Sequence, residues 1–387
     1  MWYFISPEVV FGEDALSRLD ELEGKRAFIV TDEQMVRLGF VDRVKEHLSH
    51  AGIDCQFFDQ VEPEPSIETV EKGAEIIRDY APDWIVGLGG GSAMDAAKAI
   101  WVLYERPDVE PAEINPFVPL GLRQKARLIT IPTTSGTGSD ANWALVLTDT
   151  SERRKLAIGC REAHADIAIV DPLFVMGMSP QLTADTGMDV LTHAVEGYTS
   201  SWRNDFCDGL CLKAIQLVFQ YLPRAYHDGQ DREARERMHN AASIAGLGFG
   251  NSMLALAHST GHSLGAVFHI PHGRAVGLFL PYTIEFAADT VTDRYAEIAY
   301  FLKLRDTEGA KAVVRLAQTI RQLAQNINQP LTIRDLGISR DSFENSLSKL
   351  VSNADMDTPT VTSPRIPTTE EFEKLFCYAY DGQTVDF

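Results

Sequence analysis

Short apolar segments alternate with amphipathic helical segments along the first half of the chain. Apolar runs lie at 27–30, 55–58, 84–88, 127–131 and 165–170. Helical spacing of apolar residues extends to about 50 after the first run, and recurs over 67–80 and 93–104. Short strands separated by helices are typical of a mainly parallel sheet covered by helices on both faces. We therefore predict a Rossmann-like α/β domain over residues 1–180.

The pattern changes near residue 180. From Ser179 onward the segments are long, helical and rich in small residues, and none is a convincing strand. Examples are the periodic stretches 310–327 and 338–351, and a last helix predicted over 370–380. The pattern predicts an all-α domain over residues 181–387.

Composition narrows the class of protein. The 35 Lys and Arg residues against 55 Asp and Glu residues give a formal net charge of −20, which disfavours binding to nucleic acid or to an anionic membrane. Five scattered cysteines without a C-x-x-C pair argue against a disulfide framework. The N-terminal residues do not resemble a signal peptide, and no stretch of 18 apolar residues occurs. We expect a cytoplasmic protein.

Two polar, glycine-containing loops each follow a predicted strand. The first, 87–92, reads GLGGGS and precedes a helix, so its backbone and the helix N-terminus could bind a pyrophosphate. A tight strand-to-helix turn is the alternative, because Ser92 occupies the third glycine position of the usual dinucleotide fingerprint. The second, 133–139, reads TTSGTGS. Two such loops at the ends of separate strands favour a dinucleotide site at one edge of a parallel sheet.

Asp32 ends an earlier predicted strand. A carboxylate there could accept hydrogen bonds from ribose hydroxyls and repel a 2′-phosphate, which would favour NAD over NADP. It could equally serve as a helix N-cap.

Histidines and one aspartate recur at helical spacing in the second domain. Asp189 and His193 are four residues apart, as are His258 and His262, and His272 follows shortly after. Four of the ten histidines lie between positions 258 and 272, in a stretch made largely of small and apolar residues. One aspartate with three histidines would bind a divalent transition metal, and imidazole suits iron, zinc and nickel alike. Such an ion would act as a Lewis acid on an alcohol oxygen and favour hydride transfer to a dinucleotide.

Four linked segments resemble the motifs of the iron-containing (group III) alcohol dehydrogenases, which have the dehydroquinate synthase-like fold. They are GGGSAMDAAK at 89–98, PTTSGTGS at 132–139, TGMDVLTHAVE at 186–196, and HSTGHSLGA at 258–266 continuing to PHG at 271–273. The resemblance covers essentially the whole chain.

The resemblance implies specific roles at the matching positions. The implied metal ligands are Asp189, His193, His258 and His272. His262 matches a histidine near the nicotinamide and substrate, and is a candidate for proton relay. The predicted cofactor-binding residues are Asp32, Gly89, Gly90, Gly91, Ser92, Asp95, Thr133, Thr134, Thr137 and Lys155. The implied cofactors are NAD(P) and usually Fe(II), sometimes zinc.

Two features depart from the family pattern. The tetrapeptide at 140–143, DANW, stands where the family usually has Glu-Val-Thr, which leaves the substrate range open. His269 stands where many members have Asn or another polar residue, and we favour a structural role for it.

The sequence therefore predicts a metal-dependent alcohol dehydrogenase or aldehyde reductase that transfers a hydride between a primary alcohol or small diol and NAD(H). A homodimer or larger homo-oligomer is implied by the resemblance alone. The alternatives are a zinc-dependent glycerol or polyol dehydrogenase of the same fold, and a maleylacetate reductase-like enzyme. A catalytically silent nucleotide-binding or filament-forming module and a metal-dependent hydrolase are more remote.

Overall fold

The structure is a computed structural model that describes residues 3–152, 154–305 and 308–387. The chain separates into two compact units, residues 1–177 and 178–387. The division lies three residues before the predicted domain boundary.

The first unit contains a six-stranded parallel sheet with strand order β1-β8-β5-β4-β2-β3, and a separate two-stranded sheet, β6-β7. The strands are β1 (Glu8–Phe11), β2 (Arg26–Val30), β3 (Asp54–Phe58), β4 (Trp84–Gly89), β5 (Arg127–Pro132), β6 (Ala144–Asp149), β7 (Arg154–Gly159) and β8 (Ile167–Val170). Its α-helices are α1 (Glu33–Arg37), α2 (Phe40–His50), α3 (Ile67–Tyr80) and α4 (Gly91–Glu105). This confirms the predicted α/β class and the parallel sheet.

Successive side chains of the central strands pack alternately into two separate apolar cores. Phe28, Ile85 and Leu128 belong to one buried cluster, whereas Ile29 and Val86 belong to the other. Because successive strand residues point to opposite faces, helices must cover both faces of this sheet. That arrangement explains why these strands read as continuous apolar runs.

The sequence pattern did not reveal three of the strands. β1 pairs in parallel with β8 at one edge of the sheet, and its residues are exposed or half-buried. β6 and β7 form an antiparallel hairpin outside the main sheet, with Ala144 opposite Gly159. β1 and β6 are short and partly exposed, so they stand out less clearly in the sequence than the fully buried strand β4. The helix predicted up to residue 50 is divided at Leu38–Gly39.

In the second unit, the described residues form helices joined by loops and turns, with no strand among them. Its helices are α5 (Pro180–Thr199), α6 (Asp205–His227), α7 (Arg232–Gly250), α8 (Leu256–Phe268), α9 (His272–Phe286), α10 (Thr292–Phe301), α11 (Gly309–Asn326), α12 (Arg340–Asp355), α13 (Thr358–Val361) and α14 (Thr369–Asp381). One buried apolar cluster runs through this unit and includes Met188, Leu222 and Phe279. The predicted all-α class is therefore confirmed.

Within the described residues, no helix is both long enough and apolar enough to span a membrane.

Candidate active site

The first glycine-rich loop joins β4 to α4. Gly89 has φ +150°, and a Cβ there would lie 2.6 Å from Cβ of Ala93, so a side chain would meet both strain and a clash. Gly90 is the N-cap of α4, and no side chain caps the helix there. Gly90 itself has no side chain that could accept from the first N–H groups of this 15-residue helix, which suits binding of an anion.

The second loop lies directly beside the first. Gly89 of β4 is in register with Pro132 of β5, and the N–H of Thr133 donates to the carbonyl of Gly89 at 2.9 Å. A Cβ on Gly91 would lie 2.9 Å from Cγ2 of Thr137. A Cβ on Gly90 would similarly contact Thr134 at 3.6 Å. The structure therefore brings both predicted cofactor loops together at the carboxyl ends of adjacent strands.

Two polar residues of the first motif hold the second loop and the strand β6 that follows it. The carboxylate of Asp95 accepts from Oγ of Ser139 at 2.7 Å and from the N–H of Val146 at 3.0 Å. Nζ of Lys98 donates to Oγ of Ser139 and to the carbonyl of Ala144, both at 2.8 Å. Burial lowers the pKa of Lys98 to about 8. Asp95, predicted to contact cofactor, makes these internal contacts, and its cofactor role stays a prediction.

Asp32 is the N-cap of α1, so one of its two predicted roles is observed directly. Its Oδ1 accepts from the N–H groups of Gln34 at 2.8 Å and Met35 at 3.1 Å. Its Oδ2 faces the glycine-rich loop, 3.5 Å from the position that a Cβ on Gly89 would occupy. The cap and a contact with ribose use different oxygens and are compatible.

Lys155 lies on β7 with its ammonium group ion-paired to the carboxylate of Glu64. The N–H of Glu64 donates to Oγ of Ser92 at 3.2 Å, which places this pair beside the first glycine-rich loop. Glu64 was not among the predicted site residues.

In the second unit, the four predicted metal ligands converge. One ligand atom from each of Asp189, His193, His258 and His272 lies within 4.8 Å of the others. Oδ1 of Asp189 is 3.3 Å from Nε2 of His272, 3.6 Å from Nε2 of His193 and 3.8 Å from Nε2 of His258. Two ligands that share one ion at bonds of about 2.1 Å are about 3.0–3.5 Å apart, so the cluster has nearly the dimensions of a coordination sphere.

Unpaired buried atoms show that this cluster fits a cation. Oδ1 of Asp189 and Nε2 of His258 are buried and make no hydrogen bond within the described part of the chain. Burial lowers the pKa of His193 to about 3 and that of His258 well below its usual value, so both imidazoles are neutral, the form that binds metal. A divalent ion would bind these two atoms and balance the negative charge of the buried Asp189 carboxylate.

Glu196 supports the cluster from the same helix face. Asp189, His193 and Glu196 follow one another at helical spacing on α5. Oε2 of Glu196 lies 2.5 Å from Nδ1 of His258, and the same carboxylate accepts from the N–H groups of Ala255 and Ala257 at the start of α8. Burial raises the pKa of Glu196 to about 7. A carboxylate on Nδ1 orients the ring and directs Nε2 towards a metal.

His262 has a carboxylate partner as well. Its Nδ1 lies 2.6 Å from Oδ2 of Asp357, the residue that caps α13. Its ring centre is 5.2 Å from that of His272 and 5.6 Å from that of His258. The structure therefore places the predicted proton-relay residue next to the metal cluster, with one ring nitrogen already engaged.

Known proteins match both units. Residues 6–172 match the family model described as iron-containing alcohol dehydrogenase, and residues 183–380 match the C-terminal model of the Fe-containing alcohol dehydrogenase family. An NADPH-dependent butanol dehydrogenase from Clostridium saccharobutylicum is 39% identical over the full length of both chains. A solved structure of 1,3-propanediol oxidoreductase superposes with a TM-score of 0.92 at 31% identity, covering 98% of this chain and all of that one. The chain belongs to the iron-containing alcohol dehydrogenase family.

Longer relatives also match this iron-containing alcohol dehydrogenase. Aldehyde-alcohol dehydrogenase 2 from Entamoeba histolytica is 36% identical over 98% of this chain. The match covers 46% of that relative, so the chain spans about half of its length.

Two residues in the segments that depart from the family pattern, Asn142 and His269, have local structural roles. Asn142 donates through Nδ2 to the carbonyl of Gly138 at 2.9 Å, and its Oδ1 accepts from the N–H of Ala144, so it shapes the turn into β6. His269 is the C-cap of α8 with φ +54°, and is exposed. This position agrees with the structural role favoured for His269.

Close packing of α9 against α5 holds His272 in place, and no sequence pattern predicted this contact. A Cβ on Gly273 would lie 2.2 Å from the carbonyl oxygen of Asp185, so only glycine permits this approach. Arg274 adds two hydrogen bonds of 3.0 Å to the carboxylate of Asp185. Glu196 and Asp357 were likewise missed as site residues, although Glu196 stands at helical spacing from two predicted ligands.

A second group of potential ligands lies on the surface of the iron-containing alcohol dehydrogenase. Nδ1 of His47 is 2.9 Å from Oδ1 of Asp20, and Nδ1 of His50 is 3.5 Å from the same oxygen. These side chains are exposed in part, and Asp20 is already hydrogen-bonded to His47. Solvent can satisfy such groups, so nothing here demands a cation.

Proposed function

We propose that this chain is a primary-alcohol dehydrogenase and aldehyde reductase whose metal is held by Asp189, His193, His258 and His272. The observation that carries the proposal is the convergence of four ligand atoms within 4.8 Å, two of which, Oδ1 of Asp189 and Nε2 of His258, are buried without a hydrogen bond among the described residues. Family membership supplies the reaction class, namely NAD(P)-dependent hydride transfer to and from an alcohol carbon.

A divalent ion bound there would supply Lewis-acid polarisation of the substrate oxygen. The chain contributes three neutral imidazoles and one carboxylate, which leave a divalent site with one net positive charge. Glu196 holds His258 in the tautomer that presents Nε2. Iron is the metal that the family name indicates, and we propose Fe(II) over zinc or nickel for this chain.

His262 is the proposed proton carrier. Asp357 accepts a hydrogen bond from Nδ1 of His262, which leaves Nε2 to accept or donate the proton of the substrate hydroxyl. The half-buried His262 side chain gives that proton a route to water.

For the cofactor we propose NAD in preference to NADP, bound by the two loops. Oδ2 of Asp32 supports this choice because a carboxylate beside the loop would repel a 2′-phosphate. The butanol dehydrogenase from C. saccharobutylicum is NADPH-dependent, so the preference needs direct measurement with both cofactors.

Short primary alcohols and diols are the proposed substrates. Two relatives named above act on butanol and 1,3-propanediol, and they favour this class over glycerol-type polyols or maleylacetate. The homodimeric state and the cytoplasmic location stay predictions, and sedimentation velocity would test the former.

Metal removal and replacement test the proposed function. We expect exhaustive chelation to abolish butanol-dependent NAD⁺ reduction, and anaerobic Fe(II) to restore it, since polarisation by the ion contributes several kcal/mol. Chelation should also lower the melting temperature, because a ligand that binds only the folded state stabilises it. Addition of Mg²⁺, which prefers oxygen donors, serves as the control. Full activity in protein shown to be metal-free would refute the proposal.

A further inference from the structure

Glu64 occupies an unusual backbone position beside the first glycine-rich loop. It has φ +61°, a conformation that favours glycine or asparagine over glutamate. Its N–H donates to Oγ of Ser92 at 3.2 Å, and its carbonyl accepts from Oγ1 of Thr148 at 2.9 Å. These two contacts attach the segment before α3 to the loop on one side and to the β6–β7 hairpin on the other.

The carboxylate of Glu64 pairs with Lys155, and local structure does not explain the pair. The neighbouring Glu62 is used locally, since its carboxylate accepts from Ser66 and Thr69 at the start of α3. Glu64 makes no comparable cap, and its side chain stays 62% exposed beside a Lys155 side chain that is 45% exposed. An exposed pair of this kind adds little to stability, about 0–1 kcal/mol.

The Glu64–Lys155 pair lies beside the loop where the cofactor is proposed to bind. Ser92 and the uncapped start of α4 form the place where a pyrophosphate is proposed to bind, and Glu64 is hydrogen-bonded to Ser92. A dinucleotide brings negative charge to this place, and Lys155 is the predicted cationic contact for it. In the structure, that cation is neutralised by the carboxylate of Glu64.

We propose that Glu64 is an internal competitor of the dinucleotide for Lys155, and thereby weakens cofactor binding and speeds cofactor release. The inference rests on the proposed function insofar as the two loops bind NAD(P). A weak, exposed pair suits this role because it exchanges readily for a phosphate or ribose contact. The unfavourable backbone of a glutamate at this position is compatible with selection for its charge.

The test compares Glu64→Gln with Glu68→Gln. Glu68 lies on the first turn of the adjacent α3, and its carboxylate accepts from Thr150, so it gives the same charge change nearby without touching Lys155. Dissociation constants for NADH are measured by fluorescence titration of the metal-loaded protein. We expect Glu64→Gln to lower the Kd for NADH about two- to fivefold, and Glu68→Gln to leave it unchanged. Stopped-flow displacement should show correspondingly slower NADH release.

A double-mutant cycle with Lys155→Ala makes the mechanism explicit. If Glu64 acts by occupying Lys155, the gain from Glu64→Gln should largely disappear in the Lys155→Ala background. The gain should also shrink in 1 M salt, where the Debye length is about 3 Å. Glu64→Asn provides a second variant that removes the charge and suits the positive φ, so a folding defect in Glu64→Gln would not obscure the result.

Two results would overturn the inference: equal Kd values for Glu64→Gln and Glu68→Gln, or an undiminished gain without Lys155. If wild-type protein binds NADH or NADPH but shows either result, the inference fails and the proposed function stands. If wild-type protein binds neither dinucleotide, both fail.

Discussion

The predicted cofactor loops and the predicted metal cluster differ in whether their buried polar side chains are hydrogen-bonded. In the first unit, the carboxylate of Asp95 and the ammonium of Lys98 make hydrogen bonds to the second loop and to β6. In the second unit, Oδ1 of Asp189 and Nε2 of His258 are buried without a hydrogen bond among the described residues. Hydrogen-bonded side chains in the first unit hold the backbone of the loops in place, whereas the buried atoms without a hydrogen bond in the second unit are free to bind a ligand. Polar residues in a sequence motif can therefore support the backbone in one region and be available to bind a ligand in another.

Asp189→Asn should have the largest effect, on metal binding by the second unit. Loss of the only carboxylate in the cluster removes the charge that attracts the ion, so we expect metal content near zero and activity reduced by at least about 10³-fold. Metal content after iron loading and NADH production would be measured together. Asp20→Asn, in the exposed aspartate–histidine group, is the matched control and should change neither. Normal metal content in Asp189→Asn would refute the ligand assignment.

Glu196→Gln should separate support of the metal from the metal ligands themselves. The amide oxygen can still accept from the N–H groups at the start of α8, but the charged partner of His258 Nδ1 is lost. We expect metal affinity to fall about 10- to 100-fold, measured by competition with a chromogenic chelator. If affinity is unchanged while the melting temperature falls, Glu196 is only a helix cap.

Lys98→Met should lower the stability of the first unit without changing the metal content. The substitution leaves acceptors around the second loop without their donor, at a cost of about 1–3 kcal/mol in the free energy of unfolding. Lys72→Met, at an exposed position on α3, is the control. A stability loss accompanied by loss of metal would show that the two sites are not independent.

Comparison of wild type with Lys98→Met also predicts how the contribution of Lys98 to the free energy of unfolding changes with pH. Because burial lowers the pKa of Lys98 to about 8 from 10.5, the unfolded chain binds more protons than the folded chain between these values. The contribution of Lys98 to the free energy of unfolding should therefore rise as the pH rises from 8 to 10. Urea denaturation of wild type and Lys98→Met should diverge over this interval, and parallel curves would contradict the assignment.

Substitutions of Asp32 should give the smallest effect and sharpen the distinction between cap and cofactor contact. Glycine costs only a few tenths of a kcal/mol at an N-cap, and asparagine preserves the cap while removing the charge. We expect both Asp32→Gly and Asp32→Asn to raise the NADPH:NADH ratio of kcat/KM about five- to tenfold. An unchanged ratio in both variants would leave Asp32 as a helix cap alone.

The sequence determined the fold class, and it predicted a candidate ligand set, because local patterns along the chain indicate both. Apolar runs bounded by polar loops predicted β2, β4 and β5, and four-residue spacing placed Asp189 with His193 and His258 with His262 on common helix faces. The short strands β1 and β6 were not predicted; both are partly exposed, unlike the fully buried strand β4.

Only the tertiary structure decided which groups support the ligands and which are already satisfied. Glu196 and Asp357 are 62 and 95 residues away from the histidines that they orient, a separation at which no spacing rule operates. The same holds for Asp95, whose partners on the second loop and on β6 are 44 and 51 residues away, and for Glu64 beside Lys155, 91 residues away. Sequence spacing reports neighbours on one helix or strand, but hydrogen bonds and charge pairing between elements arise only after those elements pack.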